Sequence, residues 1–222
     1  MSHNQSMGTA QAPARTRHSA RAAAAKETVN TEEKDRREAL LDAAVRVIAA
    51  EGMRGLTHRA VENEAGVPHG STTYYFGSRR DLIVAIMQHI ADQARRGAEP
   101  IARGLTLMMA DRSKPVDLDA VGDALIQWID AFADMERARY ELQISAVRDP
   151  ETMRLATETC DQFRVMCEPI VIACGSKNPA RDAKVVQAAL DGWMFSRLTQ
   201  TGQSDEIIKR GLEVLLGAIG QE

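Results

Sequence analysis

Leu56 to Leu82 reads LTHRAVENEAGVPHGSTTYYFGSRRDL, and this stretch decides the fold. Ala60, Val61 and Ala65 recur at helical spacing, Thr57 is placed to cap the helix by accepting an early backbone N–H, and Gly66 stops it. Val67 can plug the gap to a second short helix, expected from Pro68 to about Phe76, because proline suits a first helical position where its missing N–H would be unpaired anyway. The unit is helix, tight turn, helix. Its second helix has an unusual outer face: His69, Ser71, Thr72, Thr73, Tyr74 and Tyr75 supply an imidazole, hydroxyls and phenols, while Gly70 lets another surface come near. Such groups suit phosphates and base edges. A merely solvated helix would more often carry Lys and Glu.

Working outward toward the N-terminus, Ala39, Leu40, Ala43, Ala44, Val47 and Ile48 form one apolar stripe between about Glu32 and Glu51, with charges opposite, and Gly52 ends that helix. The stripe must pack on something. Leu56, Val61, Ala65, Val67 and Phe76 offer the complementary surface, so residues 31–82 are expected to form a three-helix helix-turn-helix domain. In the other direction, Ser78-Arg79-Arg80-Asp81 fits a capping box and opens a fourth helix, whose apolar face runs through Leu82, Ile86, Ile90, Ala94, Ile101, Leu105 and Met108. Pro100 lacks the helical N–H, so a kink or a division is expected there. A long element shared between two regions is a natural lever.

Residues 83–222 continue in the same manner. Val121, Leu125, Trp128, Phe132 and Met135 mark a fifth helix, a sixth runs over about 136–148, and Asp149-Pro150, Asn178-Pro179 and Ser204 open three more. No extended run alternates with period two, so an all-α protein of about nine helices follows. The last two helices are strongly apolar. With Gly192 and Gly211 open to close backbone approach they suit a pair that docks on its symmetry mate as a four-helix bundle; packing within one chain is the competing reading.

Composition narrows the function classes. A hydrophobic share of 44% supports real cores, while aromatics at 4% argue against a cavity stacked with rings for flat cationic drugs. The net charge of −3 is unevenly spread: residues 1–81 hold 12 Lys and Arg against 10 Asp and Glu, and the remainder holds 16 against 21, so the basic excess lies with the helix-turn-helix. Residues 1–30 are rich in Ala, Ser, Gln and Thr, with Arg15, Arg17, Arg21 and Lys26 and no acid before Glu27. That arm cannot bury a core and is expected to be disordered alone, either adding DNA contacts or trailing as a solvated tail. No apolar run reaches the ~20 residues of a membrane span and no secretory leader is evident, so a cytoplasmic protein is expected. Cys160, Cys167 and Cys174 recur every seven residues without CxxC pairing, which suits buried small hydrophobes, with a thiol sensor as the sharper alternative. His3, His18, His58, His69 and His89 form no HxxxH or HExxH pair and no Gly-rich phosphate loop occurs. An enzyme, a bound metal and a cofactor are therefore not expected.

The stretches ALLDAAVRVIAAEG (39–52), LTHRAVENEAGV (56–67) and GSTTYYFGSR (70–79) together resemble the tetracycline-repressor (TetR) family of one-component bacterial regulators, and Ala188-Ala189-Leu190-Asp191-Gly192 resembles that family's penultimate helix. The resemblance implies that Arg59, His69, Gly70 and Thr73 approach base edges and that Thr57, His58, Ser71, Tyr74, Tyr75 and Arg79 bind phosphates. Thr72 and Thr73 stand where Leu and Tyr are usual, and Tyr75 where His is usual, so the run 72–75 is where operator choice is expected to lie. It also implies a homodimer held by the last two helices, double-stranded operator DNA as partner, and repression lifted by a small-molecule effector. An effector-independent DNA-binding module is the alternative within the fold. For the effector cavity, among the fourth to eighth helices, the candidates are Trp128, Phe132, Tyr140, Gln143, Phe163, Met166 and Trp193, each of which would otherwise be ordinary core. Arg139 and Arg148 could meet an anionic ligand unless they are solvated or paired with Glu141 or Asp149.

Overall fold

The structure, a computed structural model, describes residues 14–110, 117–200 and 204–219. Two compact units emerge, Met1–Ala39 and Leu40–Glu222. The described part of the first is the leading stretch of helix α1 (Ala14–Gly55), which begins upstream of the expected start near Glu32. Arg21 to Lys26 is composed of the strongest helix formers, so local propensity rather than an apolar face accounts for the earlier start.

The second unit contains the end of α1 and then α2 (His58–Ala65), α3 (Ser71–Phe76), α4 (Arg79–Ala110), α5 (Leu118–Ala131), α6 (Ala133–Ala146), α7 (Pro150–Ala173), α8 (Pro179–Thr199) and α9 (Asp205–Ile219). No strand occurs among the described residues. The all-α architecture expected from the periodicity is the one observed, and no described helix is long and apolar enough to cross a membrane.

Leu40, Ile48, Leu56, Val61, Leu82 and Ile86 are fully buried and form the centre of the helix-turn-helix core. Ala39, expected on the same stripe, is exposed. Gly52, with φ at 68°, takes a left-handed backbone that a side chain would strain, and it kinks α1 three residues before its end at Gly55. The freed N–H of Met53 donates to a Glu141 carboxylate oxygen of α6 at 3.4 Å. At the start of α4 the expected capping box is present: the Asp81 N–H donates to Ser78 Oγ at 3.1 Å, and the Ser78 N–H and hydroxyl donate to the Asp81 carboxylate at 3.3 and 2.6 Å. Those donors hold the Asp81 carboxyl below the usual carboxylate range. One further contact ties α4 to α1, where the buried His89 has its Nε2 2.6 Å from the Asp42 carboxylate.

Neither internal proline divides its helix. α4 runs unbroken through Pro100 and α7 through Pro169. A single missing backbone hydrogen bond is tolerated because packing on neighbours holds each long helix together, α4 on α5, α6 and α7, and α7 on α8. α9 lies along α5. Gly211 is not left open for a symmetry mate as expected: a Cβ there would run into the Trp193 ring of the same chain, so this glycine lets α9 close on α8. Gly192 does face open space.

Candidate nucleic-acid interface and ligand cavity

Thr57 caps α2 as expected, its Oγ1 accepting from the Ala60 N–H at 3.1 Å, and Gly66 closes the helix at φ 66°. α3 starts later than expected. Gly70 has φ 95°, a conformation no helical residue adopts, so it serves as the N-cap and Pro68 stays in the turn. Only six residues, Ser71–Phe76, remain helical. A helix that short cannot hold its shape alone.

What holds it is Glu62, a residue the sequence reading passed over. The residue is 3% exposed, and one carboxylate oxygen accepts the N–H groups of Gly70 and Thr72, both at 3.0 Å. The other oxygen lies 3.3 Å from Nδ1 of His69. Burial alone would push this carboxyl up, but the donors from Thr72, His69 and Gly70 outweigh it and hold the group below the ordinary carboxylate range. One buried anion thus fixes the entry to α3 by satisfying donors that would otherwise lack partners.

The expected DNA-contacting residues separate into three groups. Thr57, Arg59, His69, Gly70, Thr73 and Tyr74 are exposed, Tyr74 at 74%. His58, Ser71 and Tyr75 are half-buried. Each has a partner within the head: His58 Nδ1 lies 3.0 Å from Thr73 Oγ1, the Ser71 hydroxyl donates to the Pro68 carbonyl at 2.6 Å, and the Tyr75 ring meets Tyr74 edge-on with centroids 5.0 Å apart. Thr72 and Arg79 sit differently from the expectation. Thr72 is fully buried, with its hydroxyl donating to the His58 carbonyl at 3.4 Å, so it packs α3 onto α2 and does not face outward. The Arg79 guanidinium donates to the backbone carbonyls of Met53, at 2.9 Å, and Leu56. Glu64, an exposed carboxylate on the flank of α2, is bonded to Arg46 at 2.6 Å and so repels phosphate less. The result is a face of hydroxyls, phenols and imidazoles with Arg59, carried by α2 and by a short α3 that is held from behind. Of the N-terminal arm, residues 1–13 lie outside the described residues.

Of the seven cavity candidates, the five whose side chains are described lie in different places. Trp128 and Phe132 do line a cavity of about 380 Å³, shared with Ala120, Val121, Ala124 and Gln127 of α5 and with Gly97, Pro100, Ile101 and Gly104 of α4. The two rings lie 5.6 Å apart. Tyr140 and Gln143 belong instead to an ionic cluster between α6 and α8. There the Arg139 guanidinium donates to Glu136 at 2.7 Å, to Asp191 at 2.8 Å and to Gln143 at 3.3 Å, and the Tyr140 hydroxyl donates to the Asp191 carbonyl at 2.9 Å. Arg139 is therefore occupied, by Glu136 and Asp191 and not by Glu141. Burial pushes the Glu136 carboxyl above its usual range despite the guanidinium beside it, and burial likewise raises the Tyr140 phenol. Trp193 packs against Gly211. The side chains of Phe163 and Met166 lie outside the described residues, as does that of Cys160. Burial, with Asp191 nearby, pushes the Cys167 thiol up to about 12 and burial raises Cys174, which suits small hydrophobic groups better than reactive thiols.

A helix-turn-helix with a polar outer face, joined by a 32-residue helix to a helical half that contains a cavity, defines a DNA-binding transcriptional regulator. Residues 40–86 match the family described as bacterial regulatory proteins, tetR family, and residues 116–219 match the tetracyclin repressor-like C-terminal domain. The chain belongs to the TetR family. It is 28% identical over 158 residues to the HTH-type transcriptional regulator BetI of Agrobacterium fabrum, covering 71% of this chain and 74% of that one. Among solved structures it is similar to a TetR family member from Streptomyces coelicolor A3, at 28% identity and TM-score 0.61 over 81% of this chain and 97% of the other. A multidrug binding protein, EbrR, complexed with imidazole is similar at 29% identity and TM-score 0.58 over 81% and 94%. This family is one of transcriptional regulators and not of enzymes.

Proposed function

We propose that this protein is a cytoplasmic, homodimeric repressor whose two reading heads bind half-sites of one operator and which a small-molecule effector releases. The observation that carries the reading is the pairing of an exposed polar α3, fixed from behind by Glu62, with an apolar cavity on α4, the helix that leaves the same head. Arg59, His69, Gly70 and Thr73 are the groups proposed to approach base edges, with Thr57, His58, Ser71, Tyr74 and Tyr75 on phosphates. Thr72 supports them from within.

Dimerisation supplies the second head, because one helix-turn-helix spans only a few base pairs and paired half-sites lie about 34–36 Å apart. Val185, Ala188, Gly192 and Phe195 make an exposed stripe on α8 at spacings of three, four and three, and Ile207 and Val214 stand exposed on α9. A self-complementary pairing of these faces would cover them. The EbrR complex supports a small molecule as effector. An effector that prefers one spacing of the heads shifts the population toward it, and α4 is the element both sites share.

Selection of bound fragments from random DNA identifies the operator, and anisotropy titration of that DNA checks the reading. Expected is a palindromic site, a sedimenting dimer, and loss of both dimer and tight binding in Phe195→Asp. A site without symmetry, bound by a monomer, overturns it.

A further inference from the structure

We infer that the cavity between α4 and α5 selects an uncharged, largely apolar molecule of roughly two fused rings, in preference to an anion or a cation of the same shape; this rests on the effector reading above and specifies its ligand class. Size comes first. A volume of about 380 Å³ lies at the small end of ligand clefts, and α4 contributes two glycines to its lining seven residues apart, Gly97 where the rings close in and Gly104 where room is left. A Cβ on Gly97 would stand 2.7 Å from both the Phe132 ring and Nε1 of Trp128, so the aromatic wall closes on bare backbone there. At Gly104 a Cβ would meet nothing within 4 Å, so that end is open space.

Charge decides the class. Among the described residues that line the cavity none is ionisable, and the polar groups of its wall are the Gln127 carboxamide and the Trp128 indole N–H. Charged neighbours on the same two helices are bonded elsewhere: Arg103 to Glu99 at 2.7 Å and Asp123 to Lys209 at 2.7 Å. The Glu136–Arg139–Asp191 cluster belongs to α6 and α8 and lines no part of it. An ion entering such a wall would give up hydration with no counter-charge among the described lining residues to replace it, whereas a flat neutral ring would gain contact with two aromatic side chains and keep one polar handle at Gln127.

Three naphthalenes that share the ring system and carry a small neutral, anionic or cationic substituent at position 2 test this on the full-length protein by calorimetry: 2-naphthol, 2-naphthoate and 2-naphthylmethylammonium, all at pH 7. Naphthol is expected to bind about tenfold or more tightly than either ion. Gly104→Leu, which adds bulk where the structure has room and raises helix propensity, is expected to abolish naphthol binding without lowering Tm. Gln127→Glu, nearly isosteric, is expected to turn the preference toward the ammonium compound. An ion bound by the unaltered protein as tightly as naphthol, naphthol binding indifferent to Gly104→Leu, or no naphthol binding at its solubility limit each overturns the inference. The selected operator, titrated with and without naphthol, keeps the two readings apart. Naphthol that fills the groove yet leaves DNA affinity unchanged overturns the effector role while the ligand class stands; an ion that fills it and releases DNA does the reverse.

Discussion

Two glutamates are shielded from solvent to nearly the same degree, Glu62 at 3% exposed in the reading head and Glu136 at 2% in the helical half, yet their carboxyl groups are pushed in opposite directions. The difference lies in depth and in donors: Glu136 sits far deeper among packed atoms than Glu62, and it has fewer donors to offset that burial. Glu62 collects two backbone N–H groups and faces an imidazole, so its charge is spread over several partners that the fold holds in place. Glu136 depends on Arg139, whose guanidinium also serves Asp191, and burial wins. A region that must present a fixed surface to DNA uses many neutral dipoles around one anion. The helical half instead links α6 to α8 through one cation between two anions, an arrangement that a single change can unbalance.

The largest effect should come from removing that cation. Arg139→Met strands a buried carboxylate and is expected to lower stability by about 3–5 kcal/mol, read by chemical denaturation. Pairing it with Glu136→Gln should recover most of the loss, because the penalty lies in the uncompensated charge; a double variant as unstable as the single one would remove the comparison's basis. In the head, Glu62→Ala leaves the Gly70 and Thr72 N–H groups without their acceptor. Operator affinity is expected to fall on the order of 100-fold, near 2–3 kcal/mol, with a smaller loss for Glu62→Gln, which keeps one acceptor oxygen. Equal operator binding by Glu62→Ala and the unaltered protein would show that α3 holds its shape without this anchor.

Proton linkage sets the two glutamates against each other with opposite sign. Glu62 is lowered in the folded protein, so its contribution is complete above the ordinary value of 4.5 and is lost as pH falls through the folded one. Glu136 is raised, so its contribution is complete below 4.5 and is lost as pH rises through the folded value. Acidification from neutral pH should therefore first relieve the helical half and only later loosen the head. Protection factors for amide exchange at Gly70 and Thr72, taken relative to the intrinsic rate at each pH, should fall below pH about 4.5, and Glu62→Gln should cancel that dependence while leaving the opposite trend in α6 intact.

How far the sequence reveals all this depends on whether the information is local. The helix order, the Thr57 cap, the Ser78–Asp81 box and the apolar stripe of α1 follow from spacing within single elements, and the structure has them. Thr72 was also open to a local reading: it precedes Phe76 by four residues and so shares that residue's buried face, a signal outweighed by the polar character of the run. Gly97 and Gly104, one above the other on α4, likewise foreshadow missing bulk. Other features are not local. That Glu62 meets Gly70 and Thr72 depends on the angle between α2 and α3, and that Gly211 accommodates Trp193 depends on how α9 closes on α8. Tyr140 and Gln143 look like pocket residues by type, but only the position of Asp191 on another helix reveals the ionic cluster that engages them.

Arg79 sharpens the comparison at its smallest scale, because it is the head's own arginine that works as a brace. Its guanidinium meets two carbonyls where α1 ends, and carbonyls at a helix C-terminus carry partial negative charge that a cation offsets. Unlike Arg139, it is exposed and faces no buried carboxylate, so its loss strands no charge. Arg79→Ala is expected to lower stability by about 1 kcal/mol, and to weaken operator binding only as far as the head loosens. The salt dependence separates this from a phosphate contact. A residue that neutralises one phosphate contributes about one unit to the slope of log affinity against log salt, so a brace should leave the slope unchanged whereas a contact should flatten it by about 1. Arg59→Ala, measured beside it on the selected operator and on a one-base variant, should reduce discrimination between the two if it reads a base edge; Arg79→Ala should weaken both alike.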